Sequence, residues 1–281
     1  MHALLIDGLN LIRRVHAGVP GEDETQHADA VLNASVASLR RALRRHQPSH
    51  ALCALDGEGH SWRRDLFSDY KKLRKPMPED LRLLLPRVIE RFAELGVASV
   101  EITAFEADDI IASVADRLAK AGSAVTILST DKSFCQLLGP KTRVYDHFAD
   151  REHDRAWVKQ RFGVEPEQLV DLFALAGDSS LGIRGVYSIG MRTAVKLLTD
   201  YGNLESVLGA GDTIGGRLGA KVRSGAADAR LAARLVTLRR DVSLDKNLKA
   251  FRFDPHRVGN ERCVSVSRVV RSFQPGIHHQ C

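Results

Sequence analysis

At residues 105–112 the chain reads FEADDIIA, which places three carboxylates within four residues and continues directly into an apolar, helix-forming segment. Acidic side chains in a first helical turn commonly serve as caps, because they suit the positive end of the helix dipole. Two acids would satisfy such a cap, and the third adds repulsion. At ~5 Å and an effective dielectric constant of ~20, each like-charge pair costs on the order of 3 kcal/mol. We therefore expect a positive charge to lie at this motif.

Short apolar runs on both sides of this motif predict buried strands. They lie at residues 3–6, 51–55, 97–102, 124–128 and 142–146. Helical segments at about 28–46, 79–95 and 110–121 separate them. Strands that alternate with helices predict βαβ units, and hence an α/β fold with a mostly parallel sheet and flanking helices.

Acidic residues follow several of these strands. Asp7, Asp56 and Asp131 come just after three of them, and the acids of residues 106–109 follow a fourth. One aspartate at a strand end is usually a turn residue. Several at one edge indicate a binding site, because ligands of open parallel sheets bind at the carboxyl ends of the strands. An all-oxygen pocket without matching His or Cys favours Mg²⁺ or Mn²⁺ over zinc.

Residues 62–78 carry six basic side chains against two acidic ones, interleaved with Trp62, Phe67 and Tyr70. Such a segment is either a solvated helix face or a phosphate-binding segment whose aromatic rings stack on unpaired bases. If the segment is helical, Lys71 and Arg74 share one face. Beside a carboxylate–metal pocket, these two cations would hold the scissile phosphate.

From about residue 160 the chain becomes helical, with helices expected at 166–176, 191–200, 204–208, 214–223 and 228–239. The glycine-rich loop at 177–190 leads into the second of these helices. It is either a plain interhelical turn or a loop that presents backbone N–H groups to a phosphate. Arg192 and Lys196 favour contact with a DNA backbone.

Length and composition restrict the class of protein. The 281 residues suffice for one large domain, or for a domain with a smaller partner. The formal charge of +6 permits nucleic-acid binding. Four cysteines without paired or metal-type spacing fit a reducing cytosol. Charged residues interrupt the N-terminal apolar run, and no apolar stretch approaches ~18 residues. We expect a cytoplasmic monomer without a signal peptide or membrane span.

The motifs as a set resemble the 5′ nuclease superfamily, which includes bacterial flap endonucleases and the 5′–3′ exonuclease domain of bacterial DNA polymerase I. The likeness is greatest to the short exonuclease IX-like (Xni-type) proteins and spans about residues 1–250. It rests on LIDGLNLIRR at 5–14, DYK at 69–71 with Arg74 and PMP at 76–78, EADD at 106–109, STDK at 129–132, LAGDSS at 175–180 and GVYSIG at 185–190.

The resemblance implies a PIN-like nuclease domain at residues 1–160, with a basic arch at about 60–78. A helix–three-turn–helix DNA-binding domain would follow at 161–250, and a flexible tail at 251–281. The resemblance also implies a first metal site, whose most direct ligand is Asp108, formed by Asp7, Asp56, Glu106, Asp108 and Asp109. Lys71 and Arg74 would act on the scissile phosphate.

Three further sites are implied by the same resemblance. A second metal site would keep Asp131 and Asp178 but has Ser133 and Leu181 where two acids of fuller family members stand. Backbone carbonyls would bind K⁺ at Leu175, Ala176, Arg184, Val186 and Ile189. The DNA backbone would be met by Ser188, Ile189, Gly190, Met191, Arg192 and Thr193, with Lys196 on the same helix. Within this loop Ser188 replaces a usual glycine and Arg184 a proline.

These features predict a Mg²⁺-dependent, structure-selective 5′ flap endonuclease or 5′–3′ exonuclease that acts on branched DNA, as in repair and replication. Ser133 and Leu181 leave open a second interpretation, a branched-DNA-binding protein with little catalysis. A third is a PIN-type ribonuclease with the same carboxylate geometry.

Overall fold

The computed structural model describes residues 1–20, 24–244 and 247–254. They form two compact units. The first contains residues 1–62, 77–129 and those from 240 onward, and the second contains residues 63–76 and 130–239. Most of the segment that we predicted to be a basic arch in the first domain therefore belongs to the second unit.

The α-helices of the described residues, in chain order, are α1 Gly8–Gly18, α2 Glu24–His46, α3 Trp62–Leu66, α4 Glu79–Glu94, α5 Ala107–Lys120, α6 Arg155–Phe162, α7 Leu169–Ala176, α8 Met191–Tyr201, α9 Leu204–Gly209, α10 Gly211–Ile214, α11 Gly216–Ser224 and α12 Ala226–Val236. Short 3₁₀ helices cover Lys132–Leu137, Pro166–Gln168, Ser179–Leu181 and Leu248–Phe251.

The first unit is built on a parallel sheet. Its strands are β1 His2–Asp7, β2 His50–Ala54, β3 Ala98–Val100 and β4 Ala124–Leu128, in the order β3-β2-β1-β4. All three pairings are parallel. The predicted parallel sheet is confirmed, and β3 is shorter than expected. Because the chain runs outward from β1 to β3 and then returns to the other side of β1, the strand order reverses between β1 and β4, and such reversals are ligand sites in open sheets.

Burial explains the apolar runs. Residues 3–7 of β1 are all buried, as are the last four residues of β2 and of β4. Strands covered on both faces need apolar side chains on both faces, so continuous runs replace alternation. Helix α4 shows the complementary pattern, because its buried residues Leu81, Leu84, Val88 and Phe92 recur every three or four positions.

The first unit also includes residues near the end of the chain. Phe251 and Phe253 are buried, Arg252 forms an antiparallel bridge with His50, and the N–H of Phe253 donates to the carbonyl of Ser49 at 2.9 Å. The expectation of a flexible tail is therefore wrong for residues 251–253. Residues 255–281 of that predicted tail lie outside the described part of the chain.

The second unit is mainly helical, with one antiparallel pair formed by β5 Thr142–Asp146 and β6 Arg151–Glu152. Helices α7, α8 and α12 contribute to its apolar core. The helix predicted at 214–223 corresponds to α11, Gly216–Ser224. Gly215 and Gly216, with positive φ angles of 65° and 54°, separate it from the short α10, which was not predicted. Across the described residues of both units, none of the helices is long and apolar enough to span a membrane.

Candidate metal centre and nucleic-acid module

Asp7 lies at the reversal of strand order. It ends β1 and is only 6% exposed. One carboxylate oxygen caps α1 by accepting the backbone N–H of Asn10 at 3.1 Å. The other accepts the hydroxyl of Ser129, the residue after β4, at 2.8 Å. The side chain is thus fixed between the ends of two neighbouring strands.

The loops that follow β2 and β3 are joined by backbone hydrogen bonds. Leu55 donates to Val100 at 2.8 Å, and Gly57 donates to Phe105 at 2.9 Å. At Gly57 the two loops touch so closely that a Cβ would lie 1.9 Å from the carbonyl oxygen of Ile102. Only glycine permits this approach.

This contact brings Asp56 to the start of α5. Its Oδ1 accepts the backbone N–H of Ala107, the first residue of that helix, at 2.9 Å. The acids of the central motif adjoin this bond: Glu106 is the N-cap residue, and Asp108 and Asp109 lie in the first turn. A carboxylate from a distant segment thus caps the helix, and the acids of the motif add further negative charge at this end of the helix.

Asp109 is fully buried. The indole N–H of Trp62 donates to its Oδ2 at 2.8 Å, and the hydroxyl of Ser113 donates to its backbone carbonyl at 2.8 Å. The indole N–H of Trp62 is thus bound to a carboxylate of its own unit, a contact that the sequence analysis did not expect. The bond orients Asp109 without supplying a formal positive charge.

The predicted first-site acids therefore lie at one edge of the sheet. Asp7 pairs in register with Ala54, two residues before Asp56, and neighbouring strands are about 5 Å apart. Asp56 is bonded to α5, whose first turn carries Asp108 and Asp109. The fold thus places these chain segments at the same edge of the sheet, and their role as metal ligands stays a prediction.

Asp131 and Asp178 belong to the second unit. Asp131 caps a 3₁₀ helix by accepting the N–H of Ser133 at 2.8 Å. The next residue, Lys132, places its Nζ 2.8 Å from Oδ2 of the buried Asp178. Burial raises the pKa of Asp178, but bonds from Lys132 and Ser180 outweigh it and hold the pKa below its usual range. The negative charge of Asp178 is thus balanced by the ammonium group of Lys132.

Two side chains of the basic segment, Arg63 and Tyr70, are buried, which neither sequence interpretation expected. Arg63 is 2% exposed, and its guanidinium donates to the carbonyls of Leu235 at 2.8 Å and Thr237 at 3.2 Å. Tyr70 is also 2% exposed and belongs to the core of the second unit. Because both side chains are buried, neither contacts a nucleic acid in this conformation, and Arg63 fixes the segment to its own unit.

Lys71 and Arg74 do not share a helix face, since the α-helix ends at Leu66. They lie in a turn, where the N–H of Arg74 donates to the carbonyl of Lys71 at 3.1 Å. Lys71 has a φ of 53°, and its N–H donates to the carbonyl of Leu181 at 2.8 Å. Arg74 is exposed. The turn still places the two residues close together, but through backbone geometry of another kind.

The segment predicted to form the helix–three-turn–helix module consists of α7 and α8 joined by residues 177–190. The N–H of Val186 donates to the carbonyl of Leu175 at 2.9 Å. A Cβ at Gly185 would lie 2.3 Å from that same oxygen. The carbonyls predicted to bind K⁺ thus belong to two chain segments in direct contact, 175–176 and 184–189.

The predicted DNA-contacting loop leads into α8. Ser188 has a φ of 59°, the left-handed conformation that glycine adopts without strain. Of the residues assigned to DNA contact, Ser188, Gly190, Met191, Arg192 and Lys196 are exposed, Thr193 is half-buried and Ile189 is buried. Any contact by Ile189 is therefore restricted to its backbone. Sequence reasoning gave no role to Tyr187, which is 84% exposed in the same loop.

Two family models match the chain. The 5′-3′ exonuclease N-terminal resolvase-like domain matches residues 2–163, and the 5′-3′ exonuclease C-terminal SAM fold matches residues 164–258. The chain belongs to the 5′-3′ exonuclease family. The family predicted from the sequence motifs is thereby confirmed.

Relatives within this family include a protein named flap endonuclease Xni from Aeromonas hydrophila. It is 43% identical over 261 residues, covering 90% of this chain and 96% of the relative. The flap endonuclease Xni of Psychromonas ingrahamii is 39% identical over 256 residues, covering 89% and 96%. The similarity therefore extends through both units.

Solved structures share the fold of this family member at low sequence identity. A T5 5′-exonuclease with bound zinc ions superimposes with a TM-score of 0.73 at 19% identity, covering 85% of this chain and 90% of the other. The catalytic core of Rad2 in complex with DNA substrate gives 0.56 at 15% identity, covering 90% and 83%. The fold class predicted from the sequence is confirmed.

Sequence reasoning missed the side chains that hold the acids. Ser129 and Lys132 lay within the quoted STDK motif, but no role was assigned to either. The bond between Trp62 and Asp109 was not expected either. A hydrogen bond between residues 47 positions apart, such as that from Trp62 to Asp109, has no local sequence signal.

Proposed function

We propose that this family member is a Mg²⁺-dependent, structure-selective 5′ nuclease that cuts flapped or branched DNA. The observation that carries the proposal is the convergence of Asp7, Asp56 and the acids of α5 at one edge of the parallel sheet. Relatives named flap endonuclease Xni support the substrate class. The neighbouring T5 nuclease structures with bound metal ions support a divalent cation.

The donor set fits such a cation. It consists of carboxylate oxygens on three chain segments, and backbone, hydroxyl and indole groups donate hydrogen bonds that orient several of these oxygens. Hard oxygen ligands favour Mg²⁺ or Mn²⁺. Asp7, Asp56, Glu106, Asp108 and Asp109 would hold the ion. When bound, it supplies Lewis-acid chemistry at the phosphate and a more acidic water.

Other residues would position the substrate. Lys71 and Arg74 would neutralise charge that develops on the scissile phosphate. The turn at 188–193, with Arg192 and Lys196 on α8, would contact the duplex backbone independently of sequence, so binding should weaken steeply with salt. The carbonyls of 175–176 and 184–189 would hold K⁺ beside that turn. We infer a cytoplasmic monomer.

The test is cleavage of a labelled 5′-flap duplex in Mg²⁺ by the wild-type protein and by Asp108→Asn. Asn preserves the shape of Asp108 but removes a charged ligand, so we expect kcat to fall by about 10³-fold, which corresponds to about 4 kcal/mol. Flap affinity in the absence of divalent ions should not change, because the helical module supplies that affinity. Equal cleavage rates would exclude the proposed chemistry.

A second function, binding of branched DNA with little catalysis, is favoured by the Lys132–Asp178 ion pair, since an ammonium group already neutralises one acid of the depleted second site. Tight flap binding by the wild-type protein, with no cleavage in Mg²⁺ or Mn²⁺, would select this alternative.

A further inference from the structure

Two histidines and an aspartate meet on three helices of the first unit, away from the carboxylate edge. His16 lies on α1, His27 on α2 and Asp80 in the first turn of α4. Nε2 of His16 lies 2.7 Å from Oδ2 of Asp80. The two imidazole rings meet edge to face, with their centroids 5.0 Å apart. Its members are far apart in the chain, so no local sequence pattern indicates the cluster.

A buried nitrogen within the cluster indicates a ligand. Nδ1 of His27 is shielded from solvent and has no hydrogen-bond partner. Leaving a buried polar atom unsatisfied costs about 1–3 kcal/mol, and folded proteins rarely contain one without a reason. A cation bound by Nδ1 would give this atom the partner that the protein itself does not provide.

The distances are close to those of a metal site. One ligand atom from each of the three residues lies within 4.8 Å of the other two. Zinc–nitrogen and zinc–oxygen bonds of about 2.0–2.1 Å place tetrahedral ligands about 3.4 Å apart. Side-chain movements of about 1.5 Å or less would therefore complete the arrangement.

We propose that His16, His27 and Asp80 form an accessory binding site for a transition-metal dication of the Zn²⁺ class. Imidazole ligands select such ions over Mg²⁺, which prefers oxygen. Three protein ligands leave a fourth position for water. His16 is nine residues beyond Asp7, which corresponds to about 13 Å along α1. The accessory site is therefore separate from the carboxylate edge and would join α1, α2 and α4.

Competition for zinc tests the proposal in the full-length protein. Zn²⁺ would be titrated against a chromophoric chelator in saturating Mg²⁺, which occupies oxygen-rich sites. We expect one tightly bound zinc equivalent. His16→Gln and His27→Gln should each weaken it at least about 10-fold, because each removes one of three ligands. The exposed His60 provides a matched control, and His60→Gln should bind zinc like the wild-type protein.

Co²⁺ serves as a second probe, since bound cobalt reports its ligand geometry by visible absorption. We expect an intense tetrahedral spectrum in the wild-type protein and in Asp108→Asn, and its loss in His27→Gln. Asp80→Asn, which preserves side-chain volume, covers the case in which a histidine variant fails to fold. Zinc affinity unchanged in the His16, His27 and Asp80 variants would overturn the proposal. So would zinc that Mg²⁺ displaces or that Asp108→Asn abolishes, because that zinc would sit at the carboxylate edge.

Discussion

Asp56 in the first unit and Asp178 in the second are the same residue type, and family resemblance assigns both to metal binding, yet their surroundings differ. Asp56 is exposed and accepts the backbone N–H of Ala107 at a helix start. Asp178 is buried, and the ammonium of Lys132 lies 2.8 Å from its carboxylate. A backbone donor orients a carboxylate and leaves its formal charge in place, whereas an ammonium group cancels it.

The two acids therefore differ in their expected role because their partners differ, although the sequence motifs suggest metal binding for both. A divalent ion at Asp56 would add to the existing hydrogen bond. A divalent ion at Asp178 would have to compete with Lys132, which is only one third exposed. We infer that the first unit supplies most of the binding energy for the catalytic metal, and that Asp178 acts mainly within its own unit.

The most direct test of this difference between Asp56 and Asp178 is to make the same substitution at both positions. Asp56→Asn keeps the oxygen that accepts from Ala107 but removes the charge, so kcat for flap cleavage should fall about 100-fold. Asp178→Asn should lower kcat less than about 10-fold. Steady-state cleavage over a Mg²⁺ titration measures both. An equal loss in the two variants would mean that Asp178 is also a ligand.

Removing the ammonium group of Lys132 should lower the stability of the second unit, although both acids remain in place. Lys132→Met keeps the apolar stem but leaves Asp178 buried without its ammonium partner. Breaking a fully buried pair costs 3–5 kcal/mol, and the partial exposure of Lys132 reduces our expectation to about 2 kcal/mol. Urea unfolding measures the loss. The fluorescence of Trp157 reports on the second unit when both proteins also carry Trp62→Phe.

A double-mutant cycle provides the control. In the Asp178→Asn background, Lys132→Met should cost less than about 0.5 kcal/mol, because the pair is already broken. A cost that stays near 2 kcal/mol in that background would assign the effect to the contact of Lys132 with the Phe173 ring instead of the ion pair.

The smallest expected effect is the pH dependence of the stability that the Lys132–Asp178 ion pair contributes to the second unit. The folded-state pKa of Asp178 lies below the ordinary value of 3.8, so the ion pair contributes its full stability above pH 3.8 and loses it as the pH falls through the folded-state pKa. The difference in unfolding free energy between the wild-type protein and Lys132→Met should narrow below pH 3.8. Urea titrations on both sides of that pH measure it, and a constant difference would contradict the assignment.

The fold was largely predictable because its signals are local. Each apolar run of the parallel sheet became a strand, and the five expected helices of the second half occupy nearly the predicted positions. The missed helix α6 had a signal, since Asp154 caps it and Gly163 ends it with a φ of 78°. The division between α10 and α11 could also have been read from the Gly215-Gly216 pair.

The candidate site was predictable only in part. Parallel topology brings strand ends together, so Asp7, Asp56 and the acids of α5 could be grouped from their positions after apolar runs. The donors that hold them could not, because Trp62 reaches Asp109 across 47 positions of sequence. Charge counting failed for Arg63 in the same way, because the composition of a segment does not show which cation the core will bury.

One consequence follows from the fact that residue 57 is a glycine and has no side chain. Even the methyl group of an alanine there would strike the carbonyl of Ile102, and the two loops would separate. Asp56 would then be carried away from α5 with every acidic residue still present. A screen for inactive variants should therefore recover Gly57 beside the acids, although it has no functional group of its own. At this edge of the sheet, empty space is as necessary to the chemistry as charge.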